Sequence, residues 1–147
     1  MIEGAGKAVD ILLVEDNPGD VRLAKEALRD SKMHNNIFVV EDGVEAMDFL
    51  RQKGKYKGMP RPDLILLDLN LPRKTGREVL AEVKTDESLK RIPVVVLTVS
   101  RDEEDILKAY NLHANCYVTK PIDFEQFIKI TKTIEDFWLT IVKLPPK

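Results

Sequence analysis

Five short apolar runs recur along the chain, and residues with helical apolar spacing follow each of them. The runs are residues 9–14, 37–40, 64–67, 93–97 and 116–119. The third run is apolar throughout, and a run this short of that kind is typical of a strand buried on both faces of a parallel sheet. The pattern therefore predicts five consecutive strand–helix repeats.

Strand–helix alternation of this kind predicts an α/β fold with a doubly wound parallel sheet, right-handed crossovers and helices on both faces. Cap residues mark helix starts in the sequence. Asn17 can cap a helix whose first residue is Pro18, and Asp42 has Glu45 at capping-box spacing. We expect residues 1–8 to be a disordered leader and residues 9–147 to form one domain.

Polar side chains follow four of the predicted strands. The first strand ends at Glu15 and Asp16, the third at Asp68, the fourth at Thr98 and the fifth at Lys120. The carboxyl ends of parallel strands lie at one edge of the sheet, where ligands bind in open α/β folds. These five side chains are therefore expected to converge on one cleft.

Three carboxylates in one cleft repel one another, and a hard divalent cation relieves that repulsion. Mg²⁺ (or Mn²⁺) takes oxygen ligands and needs only one or two carboxylates, with water completing its coordination. Asp16 and Asp68 can bind such an ion directly, and Glu15 can act through water. The backbone carbonyl of Asn70 can supply a further oxygen.

A carboxylate beside Mg²⁺ can act as a nucleophile and form an aspartyl phosphate, so we predict that Asp68 accepts a phosphoryl group. Phosphoryl transfer requires mainly positioning and charge balance. The Lys120 ammonium can neutralise the phosphoryl group, and the Thr98 hydroxyl can donate a hydrogen bond to it. No histidine or second carboxylate is obviously placed to activate water, so the product is predicted to persist as a signal.

Composition removes several other classes of protein. Apolar residues make up 44% and charged residues 33%, and the net charge is -2, which gives no reason to expect nucleic acid or an anionic membrane as partner. No apolar run approaches the roughly 18 residues that span a bilayer. The N-terminal segment has neither a basic start nor an apolar core, so we expect a cytoplasmic protein.

These residues, taken together and in this order, resemble the receiver domains of two-component response regulators over nearly the whole chain. The matching residues are the acidic pair Glu15 and Asp16, the phosphoacceptor Asp68, the hydroxyl residue Thr98, and Lys120 with Pro121. The resemblance implies a flavodoxin-like receiver fold with strand order 2-1-3-4-5. It also implies a signalling protein that is not an enzyme, except that it catalyses its own phosphorylation and dephosphorylation.

The resemblance extends to a switch pair and to a narrower group of proteins. Tyr117 matches the aromatic residue that changes rotamer when Thr98 moves toward the phosphate. The residue after that threonine is usually small in receiver domains, whereas here it is Val99. The larger side chain is predicted to narrow the opening through which a phosphoryl donor reaches Asp68. The stretches LNLPRKTGREVL, RQKGKYKGMPRPDL and LHANCYVTKP look like the small response regulators of cyanobacterial phytochromes. This implies phosphorylation by a phytochrome-like sensor histidine kinase. It also implies that the protein has no output domain of its own and signals by binding another protein.

The last predicted helix is apolar over too wide an arc for packing on a sheet alone. Its apolar positions spread over roughly 220°, whereas one packed face needs a stripe of about 100° or somewhat more. We expect a homodimer or partner surface here, although partly exposed aromatic residues would give the same pattern. The interface residues predicted are Phe127, Ile134, Phe137, Trp138 and Ile141.

Other interpretations stay open at this stage. A receiver-like interaction module that takes no phosphate, or a phosphorelay intermediate, would share the same fold. An aspartate-nucleophile phosphatase would have a second aspartate two residues after its nucleophile, whereas Asn70 stands there. A flavin carrier would need a glycine-rich phosphate loop after the first strand. Thr98 is also an ordinary strand residue, and Tyr117 is also compatible with a core or rim position.

Overall fold

The computed structural model describes residues 8–31, 34–98, 116–119, 125, 127–129 and 131–132. Its strands are β1 (Val9–Val14), β2 (Asn35–Val40), β3 (Leu64–Asp68), β4 (Val94–Thr98) and β5 (Cys116–Thr119). The helices whose two ends both fall within the described residues are α1 (Pro18–Arg29), α2 (Gly43–Leu50) and α3 (Gly76–Thr85), with a 3-10 turn at Gly54–Tyr56.

The five strands form one parallel sheet in the order β2-β1-β3-β4-β5, which confirms the predicted fold and strand order. The register aligns the carboxyl ends of the strands. Val14 at the end of β1 pairs with Leu67, and Asp68 at the end of β3 pairs with Leu97. The residues that leave these strands therefore begin at the same level of the sheet.

Apolar clusters cover both faces of the sheet. All five residues of β3 are buried, and because successive strand side chains point to opposite faces, both faces must be covered. One cluster joins the sheet to α2 and α3, and the other joins it to α1 and Phe127. The sheet is therefore doubly wound, as the continuous apolar runs predicted.

Strand boundaries differ slightly from those of the apolar runs. Strand β2 begins at Asn35, because polar residues pair with β1 as well as apolar ones do. Strand β4 begins after Pro93, which has no N–H and contributes only its carbonyl oxygen, accepting from Ile65 N at 3.0 Å. Asp68 is itself the last residue of β3. Its backbone is therefore held by the sheet.

The helix starts follow the cap residues, with one correction. The side chain of Asn17 accepts from Asp20 N at 3.0 Å, and Asp42 accepts from Glu45 N at 2.8 Å. The predicted capping box at Asp42 is half formed, because the Glu45 carboxylate accepts instead from the Tyr56 hydroxyl at 2.6 Å. Burial, followed by the adjacent Glu45 carboxylate, raises the pKa of Tyr56, so its hydroxyl stays protonated as a donor.

The predicted interface on the last helix needs a correction at Phe127. This side chain is 2% exposed and packs in the chain's own core against β1, β3 and β4, because it lies on the side of the helix that covers the sheet. Its neighbour Ile128 is 38% exposed. The other predicted interface residues lie outside the described residues, namely Ile134, Phe137, Trp138 and Ile141.

Within the part of the chain described, no helix combines the length and apolar character needed to cross a bilayer.

Candidate functional site

Three carboxylates meet at the carboxyl edge of the sheet. Carboxylate oxygens of Glu15, Asp16 and Asp68 all lie within 4.8 Å of one another. Glu15 and Asp68 are only 1% and 2% exposed, whereas Asp16 is exposed. Two of the carboxylates therefore form the floor of the site and the third stands at its mouth.

Backbone N–H groups orient the two buried carboxylates. Asn17 N donates to Glu15 Oε2 at 3.2 Å, and Asn70 N donates to Asp68 Oδ1 at 3.1 Å. Both donors lie two residues after their acceptor, so each loop bends back over the carboxylate at its start. An ionised carboxylate has about four lone-pair sites, so one N–H donor does not exhaust the acceptor capacity of either side chain.

The charge of the cluster favours a hard divalent cation. Two unit charges about 4 Å apart repel by roughly 4 kcal/mol at an effective dielectric constant of about 20. A cation between the carboxylates converts that repulsion into attraction. All three clustered side chains are carboxylates, a donor set that fits Mg²⁺ or Mn²⁺.

The first residue of α3 packs directly on the backbone of Asp68. A Cβ added at Gly76 would overlap the Asp68 carbonyl oxygen and lie 2.5 Å from Leu69 Cα. Gly76 N also donates to Leu69 O at 3.1 Å. Glycine at this position therefore lets α3 approach the end of β3 closely enough to fix the chain on either side of the candidate nucleophile.

A full capping box at the start of α3 was not predicted from the sequence. Glu78 N donates to Thr75 Oγ1 at 3.2 Å, and Thr75 N donates to the Glu78 carboxylate at 2.9 Å. Those hydrogen bonds from Thr75 lower the pKa of Glu78. The Thr-x-x-Glu spacing was present in the sequence as a signal. The box fixes the end of the loop that begins at Asp68.

The backbone places two further predicted residues near this edge. Thr98 ends β4, one residue beyond the partner of Asp68, and it pairs with Thr119, the last residue of β5. Tyr117 pairs with Val96, further from the edge. Asn70, predicted to supply a carbonyl, is exposed two residues after Asp68. Lys120, which follows Thr119 in sequence, and Val99 lie outside the described residues.

The doubly wound parallel sheet and the acidic cluster at its carboxyl edge agree with the receiver domain that the sequence resembles. A family model for the response regulator receiver domain matches residues 11–132. The chain therefore belongs to the response regulator receiver domain family, as the order of its acidic, hydroxyl and basic residues predicted.

Curated and solved relatives place the chain near phytochrome response regulators. Response regulator Rcp1 from Synechocystis sp. is 53% identical over 135 residues, which cover 92% of each chain. The crystal structure of the phosphorylated cyanobacterial phytochrome response regulator RcpA is 54% identical with a TM-score of 0.82, covering 96% of this chain and 100% of that one. The crystal structure of the Mn²⁺-bound form of Rcp1 matches with a TM-score of 0.80 at 52% identity, and the match covers 93% of this chain and 99% of that one.

Proposed function

We propose that this protein is a response regulator that is phosphorylated on Asp68 with the help of Mg²⁺ or Mn²⁺ and signals by phosphorylation-dependent binding to another protein. The observation that carries the proposal is the buried Asp68 carboxylate, with Glu15 and Asp16 within 4.8 Å, at the carboxyl edge of a receiver sheet. Membership of the receiver family supports the same function.

In the proposed transfer, an oxygen of Asp68 attacks the phosphorus of a phosphohistidine. The O–P bond forms as the P–N bond breaks, and the electron pair leaves with the imidazole nitrogen. Glu15, Asp16, Asp68 and the Asn70 carbonyl would hold a divalent cation, which offsets negative charge on the phosphoryl oxygens. Asn70 N holds Oδ1 of Asp68 and so orients the carboxylate for attack.

The proposal assigns roles to three residues beyond the acidic cluster. Lys120 supplies an ammonium to a phosphoryl oxygen, and Thr98 donates its hydroxyl to another. The movement of Thr98 toward the phosphate then draws Tyr117 with it and changes the adjoining surface. In this account residues 9–147 act as one receiver domain, which catalyses only its own phosphorylation and dephosphorylation.

The proposed partner is a phytochrome-like sensor histidine kinase in the cytoplasm. The similarity to phytochrome response regulators from cyanobacteria supports this assignment. The downstream partner is a protein, and a homodimer through the region of the last helix is part of the proposal. A phosphorelay intermediate and an interaction module that takes no phosphate are the alternatives, and the phosphorylation experiment below tests the second of them.

Phosphorylation by a small donor tests the proposed function directly. Incubation with acetyl phosphate and Mg²⁺ is expected to add one phosphoryl group per chain, observed as a mass increase of the intact protein. EDTA is expected to reduce this to background, because the clustered carboxylates then repel the incoming phosphoryl group. An unmodified protein at saturating Mg²⁺ would favour the interaction module.

Replacing Lys120 is expected to leave some phosphorylation but to abolish the change in assembly that follows it. The variant Lys120→Ala should still take up some phosphate, while the phosphorylation-dependent change in assembly measured by sedimentation velocity is lost. Lys147→Ala, which removes the terminal lysine, is the matched control. A change in assembly as large as that of the wild type would contradict the role given to Lys120. A strictly monomeric wild type with and without phosphate would exclude the homodimer.

A further inference from the structure

The loop between β3 and α3, residues 69–75, contains a residue in an unusual backbone conformation. Arg73 has φ +65°, in the left-handed region of backbone conformation that residues other than glycine rarely adopt. That conformation costs roughly 1–2 kcal/mol for such a residue. A strained residue of this kind persists where surrounding contacts determine its position, and such residues concentrate near functional sites.

The contact that holds Arg73 is an ion pair with Asp42, 31 residues away in sequence. Arg73 Nη2 lies 2.9 Å from Asp42 Oδ2 and 3.1 Å from Oδ1. The Asp42 side chain is only 11% exposed, and it also caps α2 by accepting from Glu45 N at 2.8 Å. Burial raises the pKa of Asp42, but the hydrogen bonds from Glu45 N and Arg73 outweigh it and leave the pKa below its usual value.

The residue after Asp42 packs on the same loop. A Cβ added at Gly43 would overlap the Lys74 carbonyl oxygen and lie 2.6 Å from the Lys74 carbonyl carbon. Lys74 in turn forms an ion pair with Glu82 of α3. The start of α2 therefore contacts residues 73 and 74 of the β3–α3 loop through both a charged side chain and the backbone.

We propose that the Asp42–Arg73 ion pair is a positioning pair, which fixes the β3–α3 loop so that the Asn70 carbonyl and the Asp68 carboxylate stay arranged for a divalent cation. This inference rests on the proposed function of Asp68. The loop is tied at its start by Asn70 N to Asp68 and at its end by the Thr75–Glu78 capping box. Between those points the ion pair and the Gly43 contact tie the loop to α2, while the Lys74–Glu82 ion pair and the buried Leu71 side chain tie it to α3 and the core.

Replacing Arg73 should change the affinity for the divalent cation in opposite directions, depending on whether Arg73 acts by its charge alone or by positioning the loop. Removing a positive charge near an acidic cluster should strengthen cation binding if only long-range electrostatics matter. Removing a contact that orders a ligand-bearing loop should weaken it, since residues that orient metal ligands typically contribute about 10- to 100-fold in affinity. The sign of the change therefore distinguishes the two explanations.

The test is the dissociation constant for Mn²⁺, measured by calorimetric titration of the full chain with MnCl₂. Arg73→Gln is expected to raise it about tenfold. Asp42→Asn, in which asparagine still caps α2, is expected to do the same. The double variant should lose about tenfold in total rather than a hundredfold, because both residues act through one contact. Arg22→Gln is the control, since Arg22 forms an exposed ion pair with Glu26 at 3.4 Å on α1.

A second variant separates positioning from fold stability. Arg73→Gly relieves the positive φ, because glycine adopts that conformation freely, so its thermal midpoint should match or exceed that of Arg73→Gln. Its Mn²⁺ affinity should nevertheless fall as in Arg73→Gln. A dissociation constant of Arg73→Gln within twofold of the wild type, or below it, would overturn the positioning role and leave the proposed function intact. A wild type that binds no Mn²⁺ would overturn both.

Discussion

Replacing Asp68 by asparagine is expected to give a folded protein that takes up no phosphoryl group from acetyl phosphate and Mg²⁺. An amide lacks the nucleophilic oxygen that a carboxylate provides, so uptake should fall to background. The asparagine oxygen can still accept from Asn70 N, which is bonded to Asp68 Oδ1 at 3.1 Å. Intact-protein mass after a fixed incubation is the measurement.

Two companion measurements make this result specific. Asp30→Asn, an exposed aspartate that follows α1, should take up phosphate as the wild type does. Without metal, Asp68→Asn should unfold at the same or a higher temperature, because one of three crowded carboxylates becomes neutral. Phosphate uptake by Asp68→Asn at the wild-type level would show that another residue is the nucleophile.

Replacing Gly76 by alanine is expected to destabilise the protein strongly. The new Cβ would overlap the Asp68 carbonyl oxygen and lie 2.5 Å from Leu69 Cα, and both atoms belong to backbone that the sheet holds. Relief requires α3 or the end of β3 to move, which costs about 3 kcal/mol of unfolding free energy, or roughly 10 °C in the thermal midpoint. Urea unfolding monitored by circular dichroism measures it.

The same substitution at another helix start is the control. In Gly19→Ala, near the start of α1, the nearest atom to the new Cβ is Asn17 Oδ1 at 3.2 Å, on a side chain that can adjust. Alanine also favours the helix over glycine by about 1 kcal/mol. Gly19→Ala should therefore differ from the wild type by no more than about 1 kcal/mol. Equal stability of the two variants would show that the close approach at Gly76 is not required.

The strands and the acidic cluster were predictable because they depend on local pattern and on one topological rule. An apolar run such as that of β3, repeated in alternation with helices, is typical of strands buried on both faces of a parallel sheet, and the structure buries all five residues of β3. Polar residues directly after such strands must then lie at one edge. Glu15 and Asp68 could be placed together without knowing any contact between them.

Side-chain pairings between elements were harder to predict. The spacing of Asp42 and Glu45 indicated a capping box, but the Tyr56 hydroxyl binds the Glu45 carboxylate instead. Helical periodicity showed that the last helix is widely apolar, but it does not say which residues face the sheet. Phe127 was placed at an interface, whereas it packs in the core.

The sequence by itself determined the doubly wound parallel sheet and the edge where Asp68 meets the other acids, because strand burial and chain direction follow from local apolar pattern. The order of the strands was implied by the resemblance to receiver domains. Only the tertiary structure decided how the loop after Asp68 is held. The Asp42–Arg73 pair and the close contacts at Gly43 and Gly76 join residues from separate elements. Their formation depends on ångström-scale packing of α2 and α3, which no periodicity along the chain encodes.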